Sequence, residues 1–578
     1  MDLHMSREGL LSILLIALQL TSNIASDLDW WKTAVIYQVY PRSFKDTDGN
    51  GIGDLQGILD NVQYIKELGV DAVWLNPIYP TEDVDFGYDI TDMKNIYSLL
   101  GNMSVFEELV TKLHQEGIKI ILDYVPNHTS NKHDWFLKSL KGTDKYRDYY
   151  VWRAGSIDGT TREMNPPNNW VAGITGGSAW TYDNFRKQYY LHQFLTEQAD
   201  LNYENEDVIE DMIDVLVFWL NKGVDGFRMD AVLALCENQD FADEVIGPHG
   251  ETNHEKTHDQ PKTFEILKKF RAKLDEYSRK DGETRLMIVE NYNPDPYLIK
   301  KYYGTKEAPI AHFPFNFFLI QNMSVESNAV DWANCINEWY KVMGSENHAN
   351  WVLGNHDQHR VASRFSKEYV DLLNILILSL KGTAVTYYGE ELGMSDSIVR
   401  LNQAQDPQGK NVSYSEFLWK SRDPERGPFL WDKNKTAGFS SSLNPWIPVS
   451  PCYWQDNVKT QNSSERSHLK IYKEMVSLRK HWTLKYGSID VVYINENVLA
   501  IYRFFEDNPT VVVVINFGDI EEKVNLLEKR KSLPEKLYFH LASLNIHVNT
   551  TDNKPGLYQS SQIILPPKGA LVLTTQPV

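Results

Sequence analysis

Residues 223–230 read GVDGFRMD, a short apolar run that closes on an acid. Such a run reads as a buried strand carrying a charge to one edge of a sheet, where a ligand can meet it. Two further runs have the same form: RLMIVEN (285–291) delivers Glu290 one residue before its end, and NWVLGNHD (350–357) ends at Asp357. Ionised acids at the ends of buried strands are costly unless something pairs with them or uses them. Three in one domain therefore predict an active site.

Working outward, five more runs resemble these three: AVIYQVYP from Ala34, VDAVWLNP from Val70, IKIILDYV from Ile118, AHFPFNF from Ala311 and TAVTYYG from Thr383. Amphipathic helical patterns follow several of them, as at Leu55 to Leu68 and Val105 to Gln115. Strands alternating with helices imply parallel pairing, and eight such units fit a closed (β/α)8 TIM barrel whose chemistry sits at the C-terminal strand ends. The barrel is expected over 26–127 and 201–485, interrupted by a loop-rich subdomain at 128–200, after the third strand, and by a loop-rich insertion at about 394–465. Insertions of this length usually wall a binding site. From 486 to 578 short β-rich runs predict a C-terminal antiparallel β-sandwich domain.

The chain has 578 residues and a net charge of −20, and its pI is near 5.3. Such a surface repels phosphate, which argues against nucleic-acid and anionic-membrane partners and favours a neutral or cationic ligand. Residues 1–25, with Arg7 ahead of an apolar run from Leu10 to Leu20, read as a cleaved secretory signal, so the mature protein is expected outside the cell without stable membrane insertion. Sequons at Asn102, Asn322, Asn411, Asn434, Asn462 and Asn549 are compatible with N-glycans. A further sequon at Asn127 falls in a motif assigned to the active site and is expected to be unmodified. Cys236, Cys335 and Cys452 allow at most one internal disulfide, and no catalytic cysteine is expected.

Side chains alternate along a strand, so Arg228 shares a face with Asp230. The guanidinium keeps that carboxylate ionised, as a nucleophile requires, while a second acid in a drier, negatively charged setting stays protonated longer. Two carboxyls with split roles are what glycosidic cleavage needs, because the leaving oxygen must be protonated. His128 and His356 add hydrogen-bonding groups suited to hydroxyls.

The motifs DYVPNH (123–128), GFRMDAV (226–232), the acid of IVENYN (Glu290) and GNHD (354–357) resemble the four signature blocks of the alpha-amylase family, glycoside hydrolase family 13. FGYDI (86–90) and QADLNYEN (198–205) also match, and from about Asp29 onward the chain is similar to the insect maltases, the α-glucosidases of that family. The resemblance implies a retaining exo-acting α-glucosidase that releases α-glucose from α-1,4-linked oligosaccharides such as maltose, and from sucrose. It implies Asp230 as nucleophile, Glu290 as general acid and base, and Asp357 as the acid that grips sugar hydroxyls. Asp89, Tyr88, His128, Arg228 and His356 are implied to line the subsite for the non-reducing glucose. Ala231 resembles members that prefer α-1,4 bonds, whereas those cutting α-1,6 bonds tend to carry Val there.

The stretch DTDGNGIGD (46–54) sets oxygen side chains at alternate positions around glycines, which suits a hard cation. It begins like an EF-hand, but the twelfth position is Gly57 instead of Glu. The resemblance implies a structural calcium ion held by Asp46, Asp48, Asn50, the Ile52 carbonyl and Asp54, and no catalytic cofactor. Where relatives read RTPFQWD this chain has SRDPERGPFLWD (421–432), in which Arg426 matches an arginine that reaches toward the sugar. A surface salt bridge from Arg426 to Asp423 or Glu425 is the other reading. Trp152, Trp170, Trp180 and Tyr182 are expected to serve packing. Two other functional readings share the scaffold: a non-enzymatic interaction module like the ancillary heavy chains of amino-acid transporters, and a sucrose-isomerising transglycosylase.

Overall fold

The computed structural model describes residues 29–157, 164–248, 250–410, 412–547 and 556–578; the expected signal segment 1–25 and the sequons at Asn411 and Asn549 lie outside them. All eight runs form strands: β1 (Val35–Val39), β2 (Ala72–Leu75), β3 (Lys119–Tyr124), β4 (Gly226–Met229), β5 (Leu286–Val289), β6 (Phe313–Pro314), β7 (Asn350–Val352) and β8 (Thr383–Tyr387). They pair in parallel in the order β6-β5-β4-β3-β2-β1-β8-β7. Almost every residue in them is buried, which is why they read as continuous apolar runs with no alternation.

Side chains bridge the seam between β6 and β7. Pro314 has no N–H to give a ladder, and Asn350 replaces it: its Nδ2 donates to the Pro314 carbonyl at 2.7 Å and its Oδ1 accepts from the Asn316 N–H at 2.9 Å. The helical stretch read from Leu55 to Leu68 forms two segments, Leu55–Asp60 and Val62–Leu68, that meet at Asn61. The second amphipathic stretch forms a helix over Met103–Gln115.

The segment after β3 returns to the barrel through an antiparallel pair, His128–Ser130 against Gln198–Asp200. It carries its own apolar cluster, including Val151, Trp170, Trp180 and Leu191, so the tryptophans there are packing residues, as expected. Toward the C-terminus, β9 (Ser488–Tyr493), β10 (Val498–Phe504), β11 (Val511–Asn516), β12 (Lys536–Ala542), β13 (Leu557–Gln559) and β14 (Ala570–Thr574) form one antiparallel sheet in the order β9-β10-β11-β14-β12-β13. A smaller antiparallel pair, Glu522–Val524 with Ile563–Leu565, shares a core with its outer face. Strand alternation sends Val511, Val513 and Ile515 into the barrel's core and Val512 and Val514 into the terminal one.

Candidate active site

The parallel ladder carries two of the three acids to the top of the barrel. The Asp230 N–H donates to the Tyr124 carbonyl at 2.9 Å and the Glu290 N–H to the Met229 carbonyl at 3.0 Å, so each acid stands one rung past its strand. Asp357 is placed differently, on the loop beyond Val352, where its N–H donates to Asn355 Oδ1 at 2.9 Å. All three line one cavity of about 410 Å³, together with Asp85, Tyr88, His128, His356 and Arg422 among others.

Arg228 organises the charges. It is 1% exposed, and its Nη1 meets Asp123 at 3.1 Å and Asp230 at 2.5 Å while its Nη2 meets Glu290 at 2.5 Å. One cation among three buried carboxyls cannot balance all of them ionised, so protons are retained. Burial pushes the Glu290 carboxyl up to about 8, with Arg228 opposing and Asp230 and Asp357 adding to the rise. Burial also raises Asp230 to about 6, again against Arg228. Glu290 Oε2 accepts the Ala231 N–H at 3.1 Å, and Ala231 holds a left-handed backbone with φ of 49°.

Asp357 has the opposite surroundings. Burial works against its ionisation, but the charges of Arg422 and Arg426, with the Nε2–H of His356 facing the carboxylate, outweigh burial and hold its carboxyl well below the usual range. Arg426 Nη2 lies 2.9 Å and Arg422 Nη1 3.2 Å from its Oδ1, and His356 Nε2 lies 3.2 Å from its Oδ2. Burial keeps His356 neutral, and Tyr88 stacks on its ring at 5.4 Å. The Gln38 Nε2 donates to His356 Nδ1 at 3.0 Å, which directs the Nε2 proton to Tyr88 and Asp357.

Three sequence expectations need correction. Asp89 is fully buried and does not line the cavity; its oxygens accept from Thr81 Oγ1 at 2.6 Å and from the N–H groups of Glu82, Val84 and Asp85, so it closes its own turn. Arg228 lies behind the acids and does not line the cavity wall. Arg426 is completely buried, neither a surface ion pair nor a lining residue, and holds Asp357 and the His356 carbonyl from behind. The residues that do line the mouth are Asp85 and Arg422, which the sequence reading missed. Arg422 Nη2 meets Asp85 at 2.6 Å and Asp406 at 2.6 Å, tying the loop after β2 to the 394–465 insertion at Asp357. The available signal lay in or beside the quoted motifs: Asp85 immediately precedes FGYDI, and Arg422 is the second residue of SRDPERGPFLWD.

The model of the alpha-amylase catalytic domain matches residues 38–487. The chain belongs to the alpha-amylase family. It is 42% identical to a salivary alpha-glucosidase of Aedes aegypti, over 86% of this chain and 88% of that one, and 41% identical to an alpha-glucosidase of Apis mellifera, over 92% of each. It is also 36% identical to the human amino acid transporter heavy chain SLC3A1, covering 77% of that protein. Among solved structures it is similar to the isomaltulose synthase of Erwinia rhapontici in complex with sucrose, with a TM-score of 0.84 and 30% identity over 95% of this chain and 99% of that one. Among the described residues no helix is long and apolar enough to cross a membrane.

At 46–54 the structure brings carboxylate oxygens of Asp46, Asp48 and Asp54 within 4.8 Å of one another. Backbone N–H groups of Gly49 and Gly51 donate to Asp46, and those of Thr47 and Gly57 donate to Asp54. Asn50 joins the loop by accepting from the Ile52 N–H at 2.7 Å. Three like charges gathered with only neutral donors against them, amide groups and the hydroxyls of Thr47 and Ser440, fit a hard dication. Gly57, the twelfth position, lies in the helix that Asp54 caps and has no side chain to supply an EF-hand's twelfth ligand.

Proposed function

We propose that the chain is a retaining, exo-acting α-glucosidase releasing α-glucose from the non-reducing end of α-1,4-linked oligosaccharides such as maltose, and from sucrose. The observation that carries this reading is the pair Asp230 and Glu290, bound to the two arms of one guanidinium and pushed apart in ionisation at the base of a single cavity. Retaining hydrolysis uses carboxyls about 5–5.5 Å apart, and a shared guanidinium suits that close spacing. The names of the insect relatives support the same activity.

In this reading Asp230 attacks the anomeric carbon while Glu290 protonates the leaving oxygen. Water, deprotonated by Glu290, then attacks the anomeric carbon from the face the leaving group vacated, displaces the Asp230 carboxylate and leaves Glu290 protonated again. Asp357, kept ionised by its arginines, accepts hydrogen bonds from sugar hydroxyls and stabilises positive charge at the anomeric carbon. Asp85, Tyr88, His128, His356 and Arg422 complete the glucose subsite. Ala231 lines the cavity beside them, and its small side chain supports the α-1,4 preference. No cofactor takes part in the chemistry. A calcium ion held by Asp46, Asp48, Asn50, the Ile52 carbonyl and Asp54 supplies a fixed loop geometry. Secretion is supported by the salivary relatives, and Asn102, Asn322, Asn434 and Asn462 are exposed and available for glycans, whereas Asn127 is buried.

The intact acid set and its paired arginines favour catalysis over the interaction-module reading. Incubation with maltose, sucrose, isomaltose and starch, followed by anomer-resolved NMR, tests the proposal: α-glucose must appear first from maltose. Isomaltulose or trehalulose as the main product from sucrose would mark a transglycosylase instead. Asp230→Asn should lower turnover roughly 10⁴-fold with an unchanged circular-dichroism spectrum; turnover near the wild-type rate would exclude Asp230 as nucleophile.

A further inference from the structure

The cavity wall carries a second group of chemistry-bearing side chains that the hydrolytic reading does not use. His359 Nδ1 lies 2.8 Å from Asp396 Oδ2 and 3.5 Å from Glu425 Oε2, and the three ligand atoms fall within 4.8 Å of one another. Glu425 is 1% exposed, and among the described residues its Oε2 has no hydrogen-bond partner. An unpartnered carboxylate oxygen buried in a wall is costly, and here it points at an imidazole nitrogen and a second carboxylate.

The geometry points to a zinc-class divalent cation site formed by His359 Nδ1, Asp396 Oδ2 and Glu425 Oε2, open toward the cavity. Zinc binds such atoms at about 2.0–2.2 Å, so two ligands of a tetrahedral shell stand about 3.3 Å apart. The observed 2.8 and 3.5 Å bracket that spacing. One imidazole with two carboxylates suits a borderline cation better than calcium, and a neutral imidazole with two carboxylates balances the ion's charge. The supporting contacts are in place: the Arg360 N–H donates to Asp396 Oδ1 at 2.8 Å, leaving Oδ2 for the ion, and Arg364 Nε donates to the His359 carbonyl at 2.9 Å. His359 and Glu425 line the same cavity as the three acids, and His359 follows Asp357 by two residues. A fourth ligand would therefore be water or a sugar hydroxyl in the cavity, and a bound ion would occupy space beside the reacting glucose and slow turnover.

The site rests on the cavity wall and not on the glucosidase reading, so its test is direct binding. Chelator-treated full-length protein is titrated with ZnCl₂ by calorimetry in excess calcium, and with CoCl₂ by visible absorption. One zinc per chain at micromolar affinity or better, with the intense visible bands of four-coordinate cobalt, is expected. His359→Ala and Asp396→Asn should each weaken zinc more than roughly 100-fold, since even outer-shell partners are worth 10–100-fold. Zinc inhibition, normalised to each variant's own zinc-free rate, should disappear with the binding. Absence of zinc binding below millimolar concentration, or binding of equal strength in both folded variants, overturns the proposal.

Discussion

At Asp230 and Glu290 the protein solves a charge problem: two carboxyls near one cation must divide the work of attacker and proton donor. Burial raises Glu290 to about 8 and Asp230 to about 6. Below the lower value Asp230 is protonated and cannot attack; above the upper one Glu290 has lost the proton it must deliver. A bell-shaped profile of kcat/KM against pH is expected, its limbs near those values and belonging to the pair together. Glu290→Gln should remove the alkaline limb in whatever activity survives on a substrate whose leaving group needs no proton. A flat profile between pH 5 and 9 would contradict this division of roles. At this scale most of the site was legible, because Arg228 and Asp230 share a strand face and each acid closes an apolar run. Asp89 was misread for a physical reason: Asp85 and Asp89 flank one tight turn, and the turn's backbone N–H groups claim one carboxylate while the other faces the cavity.

Among the elements, the 46–54 loop joins the short helix Pro41–Phe44 to the helix capped by Asp54 and packs beneath the 394–465 insertion, where Ser440 Oγ donates to Asp46. An ion there would hold the insertion against the barrel without touching the chemistry. Calcium at a hundred times its dissociation constant stabilises the folded state by about 2.7 kcal/mol, so EDTA should lower the calorimetric unfolding midpoint by a few degrees. Asp46→Asn should abolish most of that sensitivity. An EDTA response of equal size in the variant would remove the ion from this loop. The loop was readable because its ligands are neighbours in the chain. The insertion was readable only as an insertion: its few regular segments, such as the helix Tyr414–Lys420, carry no periodicity that says which side chain reaches the sugar.

The whole molecule is built so that the central strands of the terminal sheet, β10, β11 and β14, are buried on both faces. β10 sends Leu499 and Ile501 into the barrel's core and Ala500 and Tyr502 into the outer one. Arg503 strengthens the join by donating to the Ser379 and Leu484 carbonyls at 2.8 and 2.6 Å. Barrel and sheet should consequently unfold together. Leu499→Ala, which empties a fully buried site at that junction, should cost about 2–5 kcal/mol and lower one shared transition in differential scanning calorimetry. Two separate transitions, with only one of them shifted, would contradict a common core.

What the order of residues determined was everything that repeats along a single element: eight buried runs, hence a parallel barrel, and three acids at run ends, hence a carboxylate chemistry. A strand's period and a motif's spacing are local properties, so they survive without coordinates. What only the folded chain decided was which of several equivalent polar residues turns inward: Asp85 over Asp89, Arg422 over Arg426, and the meeting of His359, Asp396 and Glu425. Those choices depend on the paths of irregular loops, which are set by packing against distant segments and leave no period in the sequence.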